Sequence, residues 1–122
     1  MDIWGDGHQT RSFMYIDDCT LGIDSIMHCE DLIATPINLG SSELVSINTL
    51  VDLAEDIGGT KLERVHLMDA PQGVAGRNSD NTMIEQILGW EPNTPLREGL
   101  EKTYKWIEKQ YQDRKAGKRT VS

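Results

Sequence analysis

The chain has 122 residues, of which 38% are hydrophobic, and 12 basic and 20 acidic side chains give it a formal net charge of -8. This length allows one domain with a modest core. The acidic balance argues against nucleic acids and anionic membranes as partners, because both favour a basic protein surface. No apolar run approaches the length of a membrane span and no signal-peptide pattern opens the chain, so we expect a cytoplasmic protein.

Residue patterns in the first 40 positions predict three short strands and one helix. The expected elements are, in order, a strand at 2–4, a glycine turn at 5–7, an alternating strand at 11–16, a helix from Asp17 or Asp18 to about Cys29, and a buried strand at 37–40. The aspartates are good helix caps, and apolar residues recur at helical spacing after them.

The second part of the chain is predominantly helical in its pattern. We expect a helix that begins after Ser46 and ends at residues 58–59, followed by a strand at 63–68 and a loop at 69–79. A short helix from Asp80 or Asn81 to Leu88 follows, and the last helix begins at Thr94 and Pro95. Residues 112–122 are expected to form a charged, disordered tail. The acidic pair Glu55 and Asp56 is expected on a solvated helix face. Short strands with about four helices indicate an α/β domain over residues 1–111, too sparse for a doubly wound nucleotide-binding sheet.

Two segments place an arginine among glycines and small polar residues. They are residues 4–13 (Trp-Gly-Asp-Gly-His-Gln-Thr-Arg-Ser-Phe) and residues 73–81 (Gly-Val-Ala-Gly-Arg-Asn-Ser-Asp-Asn). Glycine lets a backbone approach a ligand closely, and a guanidinium fits a phosphate bidentately. The candidate binding residues are Gln9, Thr10, Arg11 and Arg77. Spacing alone leaves open an ordinary exposed hairpin at the first segment and a surface arginine on a flexible loop at the second.

Other motifs that resemble cofactor-binding or catalytic sites lie in sequence contexts that do not support these functions. The turn at residues 5–7 begins like a dinucleotide fingerprint, but Thr10 occupies the last glycine position and a strand follows instead of a helix. Tyr111 and Lys115 have the spacing of a dehydrogenase acid/base pair, yet they lie at the charged end of the chain. Cys19, Cys29 and the histidines match no zinc pattern and no triad, and the free thiols fit a reducing compartment. We therefore expect no catalytic, cofactor-binding or metal-binding residue.

Taken together, the two arginine segments resemble a known family. With Ile-Asp-Asp after the first segment, Ile-Asn-Leu-Gly-Ser at 37–41 and Leu-Gly-Trp-x-Pro at 88–92, they are similar to the C-terminal portion of extended short-chain dehydrogenases/reductases that act on nucleotide sugars. Within that superfamily the run Gly-Arg-Asn-Ser-Asp-Asn at 76–81 resembles the GDP-mannose 3,5-epimerase family most. The similarity extends to about Tyr111.

The resemblance implies a substrate-binding role. Members of the family have an N-terminal Rossmann domain, which binds NAD and carries the catalytic residues, and a smaller C-terminal domain that closes over the nucleotide sugar. By resemblance, Gln9, Thr10 and Arg11 contact the substrate and Arg77 binds its diphosphate. The alternatives are the substrate domain of a 4-epimerase or dehydratase acting on a UDP- or dTDP-sugar, and a non-catalytic interaction module left from a truncated gene.

The same comparison predicts that the Rossmann domain is absent from these residues. We therefore expect no NAD binding and no turnover by the chain alone, and a nucleotide sugar of the GDP-mannose type as its ligand. Apolar surface around Trp4, Phe13 and Tyr15 is expected to be uncovered, which favours association. The expected partners are a separate Rossmann domain or a second copy of the chain.

Overall fold

The computed structural model describes residues 1–118 and confirms an α/β arrangement of four α-helices with short strands. The elements in chain order are β1 (Asp2–Trp4), β2 (Thr10–Arg11), α1 (Ile16–Met27), a 3-10 turn (Glu30–Leu32), β3 (Val45–Ser46), α2 (Ile47–Gly58), β4 (Val65–Leu67), α3 (Thr82–Leu88) and α4 (Leu96–Lys115). Among these residues, no helix combines the length and the apolar character that crossing a membrane requires.

The strands form two separate pairs instead of one N-terminal hairpin. β1 lies parallel to β4, with Ile3 opposite His66, and β2 lies antiparallel to β3, with Thr10 opposite Ser46. The ordinary hairpin that spacing left open for the first segment is therefore not formed. The predicted strand at 11–16 is also wrong in extent, because its pairing ends at Arg11. β3 is only two residues long and lacks the alternation by which a strand is recognised.

Helix ends follow the predicted caps in part. The Ser46 hydroxyl accepts the Thr49 N–H at 3.0 Å, and Gly59 ends α2 in the left-handed region with φ 62°. Asp18 caps no helix; its carboxylate instead accepts the Thr94 N–H at 2.8 Å and joins the start of α1 to the loop before α4. Pro95 is the cap residue of α4, one position later than predicted.

α4 continues through Lys115, so the domain boundary expected after residue 111 falls within this helix. The last part of the predicted tail, residues 119–122, lies outside the described residues.

The core is small, and all but one of its members lie on helical elements. Its buried apolar side chains are Ile3, Leu32, Val51, Ile84 and Leu96. α4 lies close to Tyr15, the residue before α1, and glycine favours this approach, because a Cβ at Gly99 would lie 3.1 Å from the Tyr15 Cβ. Of the three apolar side chains expected at the surface, Trp4 is 56% exposed, whereas Phe13 and Tyr15 are half-buried and line a cavity of about 410 Å³ beside α4.

Glu55 is buried, so its expected place on a solvated helix face is wrong. Only 4% of the residue is exposed, and its carboxylate accepts hydrogen bonds from Lys61 Nζ at 3.0 Å, the Leu62 N–H at 3.1 Å and Arg64 Nη2 at 2.7 Å. These bonds, that from Arg64 foremost, lower the pKa of Glu55 to about 2. Because Arg64 directly precedes β4, this carboxylate fixes the path from α2 to β4.

Residues 37–40 form no strand, contrary to the sequence pattern. The segment follows Pro36 and leads to the buried Ser41, and the Leu39 side chain packs where α1 has Gly22: a Cβ there would lie 2.4 Å from Leu39 Cδ1. Among the described residues, no backbone N–H or C=O group of Ile37, Asn38 or Leu39 makes a hydrogen bond. Residues 37–39 therefore have the apolar pattern of a strand but lack the backbone hydrogen bonds that define one.

Candidate functional site

The turn after β1 is held against the start of α2. The Asn48 N–H donates to the Gly7 carbonyl at 3.0 Å, and the Ile47 N–H donates to the Gln9 carbonyl at 3.2 Å. Gly7 has φ 75°, and a Cβ there would lie 2.1 Å from the Asn48 side-chain oxygen. Glycine is therefore required for the turn to pack on α2, and β2 leaves the turn in a fixed direction.

The loop that carries Arg77 lies across β2. The Thr10 N–H donates to the Ala75 carbonyl at 2.9 Å, and Arg11 Nη2 donates to the Gln72 carbonyl at 2.9 Å. A Cβ at Gly76 would lie 2.6 Å from Thr10 Oγ1, so this approach needs glycine. The structure thus joins two segments that are far apart in the sequence. Sequence reasoning missed Gln72 and Ala75, because they act through backbone carbonyls, which leave no side-chain signal.

Arg11 is partly used by the protein and partly available. Its Nη1 donates to the Thr10 carbonyl at 2.6 Å and its Nη2 to the Gln72 carbonyl. A guanidinium has five N–H donors, so about three remain for a ligand. Within the described residues Arg11 makes no ion pair, whereas Arg64 and Arg97 each pair with carboxylates. Backbone carbonyls therefore orient the Arg11 guanidinium without neutralising it.

Arg77 is exposed, on a loop that is fixed on both sides of it. Ala75 is tied to Thr10 before it, and the Asn78 side-chain amide donates to the Ser42 carbonyl at 3.3 Å after it. In the part of the chain that the structure describes, the Arg77 side chain makes neither a hydrogen bond nor an ion pair. A second unneutralised cation is thus anchored within a few residues of the contact between loop and strand, in a protein of net charge -8.

The other two candidates hold the loop and turn together. Gln9 Nε2 donates to the Trp4 carbonyl at 2.7 Å, and its Oε1 is buried without a hydrogen-bond partner among residues 1–118. Thr10 Oγ1 approaches the Ala75 carbonyl at 3.5 Å, the limit of a hydrogen bond. Three cavities of about 410 to 440 Å³ lie elsewhere, and none is lined by the four candidates. The structure therefore places none of the four residues in the lining of these cavities.

The glycine turn does not fit a dinucleotide. A Cβ at Gly5 would lie 2.4 Å from the Gln72 side chain, so protein atoms fill the space beside the glycines, and β2 follows the turn where a fingerprint needs a helix. Tyr111 and Lys115 both lie on the solvent side of α4, with Tyr111 63% exposed. No group of three or more metal-ligating side chains occurs within residues 1–118.

Comparisons with known proteins identify relatives along nearly the whole chain. No family model matches. GDP-mannose 3,5-epimerase from Arabidopsis thaliana is 43% identical over 99% of this chain, which corresponds to 31% of that protein. The solved UDP-glucuronic acid 4-epimerase from Bacillus cereus, in complex with UDP-glucuronic acid and NAD, matches with a TM-score of 0.81 and 32% identity over 88% of this chain and 35% of that one.

A second solved structure agrees with the first. UDP-glucose 4-epimerase from Thermotoga maritima, with UDP-glucose, has a TM-score of 0.80 and 28% identity over 91% of this chain and 35% of that one. The chain therefore spans about a third of the length of the relatives it matches, and it corresponds to their C-terminal portion.

Proposed function

We propose that this chain, which belongs to the nucleotide-sugar epimerase/dehydratase family of extended short-chain dehydrogenases/reductases, binds the diphosphate and sugar of a nucleotide sugar. Arg11 and Arg77 hold the diphosphate from two sides. Gln9 and Thr10 face the sugar end of the ligand. The chain orients the substrate, which is a contribution to catalysis that needs no reacting group of its own.

One observation carries this proposal: two arginines without a carboxylate partner among the described residues lie on segments that hydrogen-bond to each other. Arg64 and Arg97 are neutralised by nearby carboxylates, whereas Arg11 and Arg77 make no ion pair among the described residues. The Arg11 guanidinium, oriented by backbone carbonyls, and the Arg77 guanidinium, which has no partner among the described residues, suit a ligand that brings its own negative charge, because a diphosphate presents oxygens to both.

GDP-mannose is the ligand that we favour. The relative with 43% identity is a GDP-mannose 3,5-epimerase, and the Gly-Arg-Asn-Ser-Asp-Asn run follows that family. The matched solved structures hold UDP-sugars, which makes the substrate domain of a UDP- or dTDP-sugar 4-epimerase or dehydratase the second candidate. The two differ in the base of the nucleotide, so a binding preference separates them.

NAD and the reacting groups belong to another part of the family's enzyme. Protein side chains fill the space beside the turn glycines, so this chain supplies binding and orientation, and NAD would supply hydride transfer in the complete enzyme. A separate Rossmann domain or a second copy is the partner. The free thiols of Cys19 and Cys29 fit the cytoplasmic location that we assign.

Calorimetric titration of the chain tests the proposal directly. GDP-mannose, UDP-glucose and NAD are titrated into the wild type, Arg77→Ala and Arg114→Ala. Arg114 is an exposed arginine of α4 without an ion pair among the described residues, so its variant removes the same charge elsewhere.

We expect saturable binding of GDP-mannose, stronger than that of UDP-glucose, with no binding of NAD. Arg77→Ala should weaken it at least about tenfold and Arg114→Ala less than about twofold, because a charge-assisted hydrogen bond contributes roughly 1.5 to 3 kcal/mol. Equal losses in both variants would show a nonspecific charge effect. Stronger binding of UDP-glucose would favour the second candidate, and no binding of any nucleotide sugar would favour an interaction module.

A further inference from the structure

Within the described residues, four hydrogen bonds form a junction between residues 38–42 and residues 78–81. In each bond the acceptor is a backbone carbonyl, and in three of them the donor is an asparagine side chain. The donor and acceptor pairs are Asn78 and Ser42, Ser79 and Ser41, Asn81 and Gly40, and Asn38 and Asp80, at 2.8 to 3.4 Å. The polar run after Arg77 is therefore engaged in contacts within the protein.

Asn78 provides the bond of this junction that lies nearest to Arg77. The Ala75 carbonyl accepts a backbone hydrogen bond before Arg77, and the Ser79 N–H donates one after it. Among the described residues, no backbone group of residues 76–78 makes a hydrogen bond. The Asn78 side chain therefore shortens the untied stretch of backbone around Arg77.

Ser42, the acceptor of the Asn78 bond, lies on a segment that is fixed to the core. Its neighbour Ser41 is buried, and the Ser41 hydroxyl accepts the Glu43 N–H at 3.1 Å. The Glu43 carboxylate in turn accepts the Leu96 N–H at 2.9 Å, at the start of α4. The Asn78 amide is thus bonded to a carbonyl that two neighbouring contacts hold in place.

The same segment also positions Arg11. Val45 of β3 lies opposite Arg11 of β2, and it follows Ser42 by only three residues. Three residues span at most about 11 Å, so the two points of attachment are close together. One short stretch of backbone therefore holds both cations, Arg11 through strand pairing and Arg77 through the amide bond.

We infer that Asn78 is a positioning residue of the diphosphate site, and that its bond to the Ser42 carbonyl keeps Arg77 at a constant separation from Arg11. Two guanidinium groups bind one diphosphate only while both face it, so an anchor that keeps their separation reduces the ordering cost of binding. Asn78 itself does not contact the ligand and acts through Arg77 alone. This inference rests on the proposed function, because it concerns the geometry of the same site.

A double-mutant cycle in ligand binding tests the inference. GDP-mannose is titrated by calorimetry into the wild type, Asn78→Ala, Arg77→Ala and the double variant. Asn38→Ala is the matched control, because it removes the same amide group from the bond to Asp80, on the far side of the Ser79 backbone bond. Urea unfolding of each variant measures the change in stability separately.

We expect Asn78→Ala to weaken GDP-mannose binding about three- to tenfold, because one neutral hydrogen bond is lost. Asn38→Ala should change binding less than about twofold, with a similar loss of stability. In the Arg77→Ala background, Asn78→Ala should have no further effect on binding, because the group that it positions is absent. A loss of the same size in both backgrounds would show that Asn78 contacts the ligand itself, which overturns the inference.

NMR relaxation without ligand gives a second readout. The order parameter of the Arg77 amide should fall from about 0.85 to below about 0.6 in Asn78→Ala and stay unchanged in Asn38→Ala. An unchanged order parameter, unchanged binding by Asn78→Ala, or an equal loss of binding in Asn38→Ala overturns the inference alone. Failure of the wild type to bind GDP-mannose instead refutes the proposed function and the inference with it.

Discussion

Replacing Gly76 by alanine tests whether the Arg77 loop lies on β2. The Cβ of an alanine at position 76 would lie 2.6 Å from Thr10 Oγ1. Ordinary contact begins at 3.4 Å, so the two groups must separate by about 0.8 Å. Either the Thr10 side chain leaves its rotamer, or the loop moves and stretches the 2.9 Å bond from the Thr10 N–H to the Ala75 carbonyl. Each route costs about 0.5 to 1.5 kcal/mol.

The second substitution Thr10→Ala isolates this contact. It removes Oγ1 and leaves the Thr10 Cβ, which is 4.0 Å from the built Cβ and clears it. Alanine also restricts the unfolded chain and adds up to about 1 kcal/mol of stability where its backbone angles are allowed, as they are at Gly76, which has no positive φ. That contribution is the same in both backgrounds and cancels in a double-mutant cycle.

Urea unfolding of the wild type, both single variants and the double variant measures the cycle. We expect a coupling of about 0.5 to 1.5 kcal/mol, with Gly76→Ala less favourable in the presence of Thr10 than in its absence. The Ala75 amide signal in NMR spectra should shift in Gly76→Ala and return towards the wild type in the double variant. A coupling of zero would refute the contact between loop and strand.

Three further substitutions test the framework that positions the site. The stability contributed by the Glu55 carboxylate is present above its ordinary pKa of 4.5 and is lost as the pH falls to about 2. Glu55→Gln should therefore make the unfolding free energy less dependent on pH between these values. An unchanged pH dependence would contradict the bonds between Glu55 and Arg64. Ile84→Ala, at the fully buried residue, should cost about 2 to 5 kcal/mol in urea unfolding, and a loss below about 1 kcal/mol would contradict its place in the core. Ser46→Ala should cost about 1 kcal/mol by removing the acceptor of the Thr49 N–H, and Ser46→Asp should restore it if the cap is the cause.

Local signals predicted the parts of the fold that local chemistry decides. The Ser46 cap and the glycine end of α2 are predicted correctly, because each depends only on backbone groups within one helical turn of the residue itself. Glu55 was misplaced because its partners, Lys61 to Arg64, follow the helix through a turn that no pattern specifies. The strand at 37–40 was predicted from its apolar residues, whereas a strand also requires a neighbour for its backbone.

Much of the candidate site was visible in the sequence, and its assembly was not. The two arginine segments are recognisable by composition, because glycine lets a backbone approach a ligand closely and a guanidinium fits a phosphate. Their meeting depends on the Gln72 and Ala75 carbonyls and on the space beside Gly76, which are properties of the folded chain. The roles of Gln9, Thr10, Arg11 and Arg77 towards a ligand stay predictions.

The most direct test of the shared diphosphate site is a map of amide chemical shifts during titration of the chain with GDP. The proposal predicts saturable shifts in both segments with one dissociation constant, at residues 9–11 and at residues 73–78, and their joint loss in Arg77→Ala. Shifts confined to one segment, or two segments that saturate at different GDP concentrations, would contradict a single site. So would a response that survives Arg77→Ala.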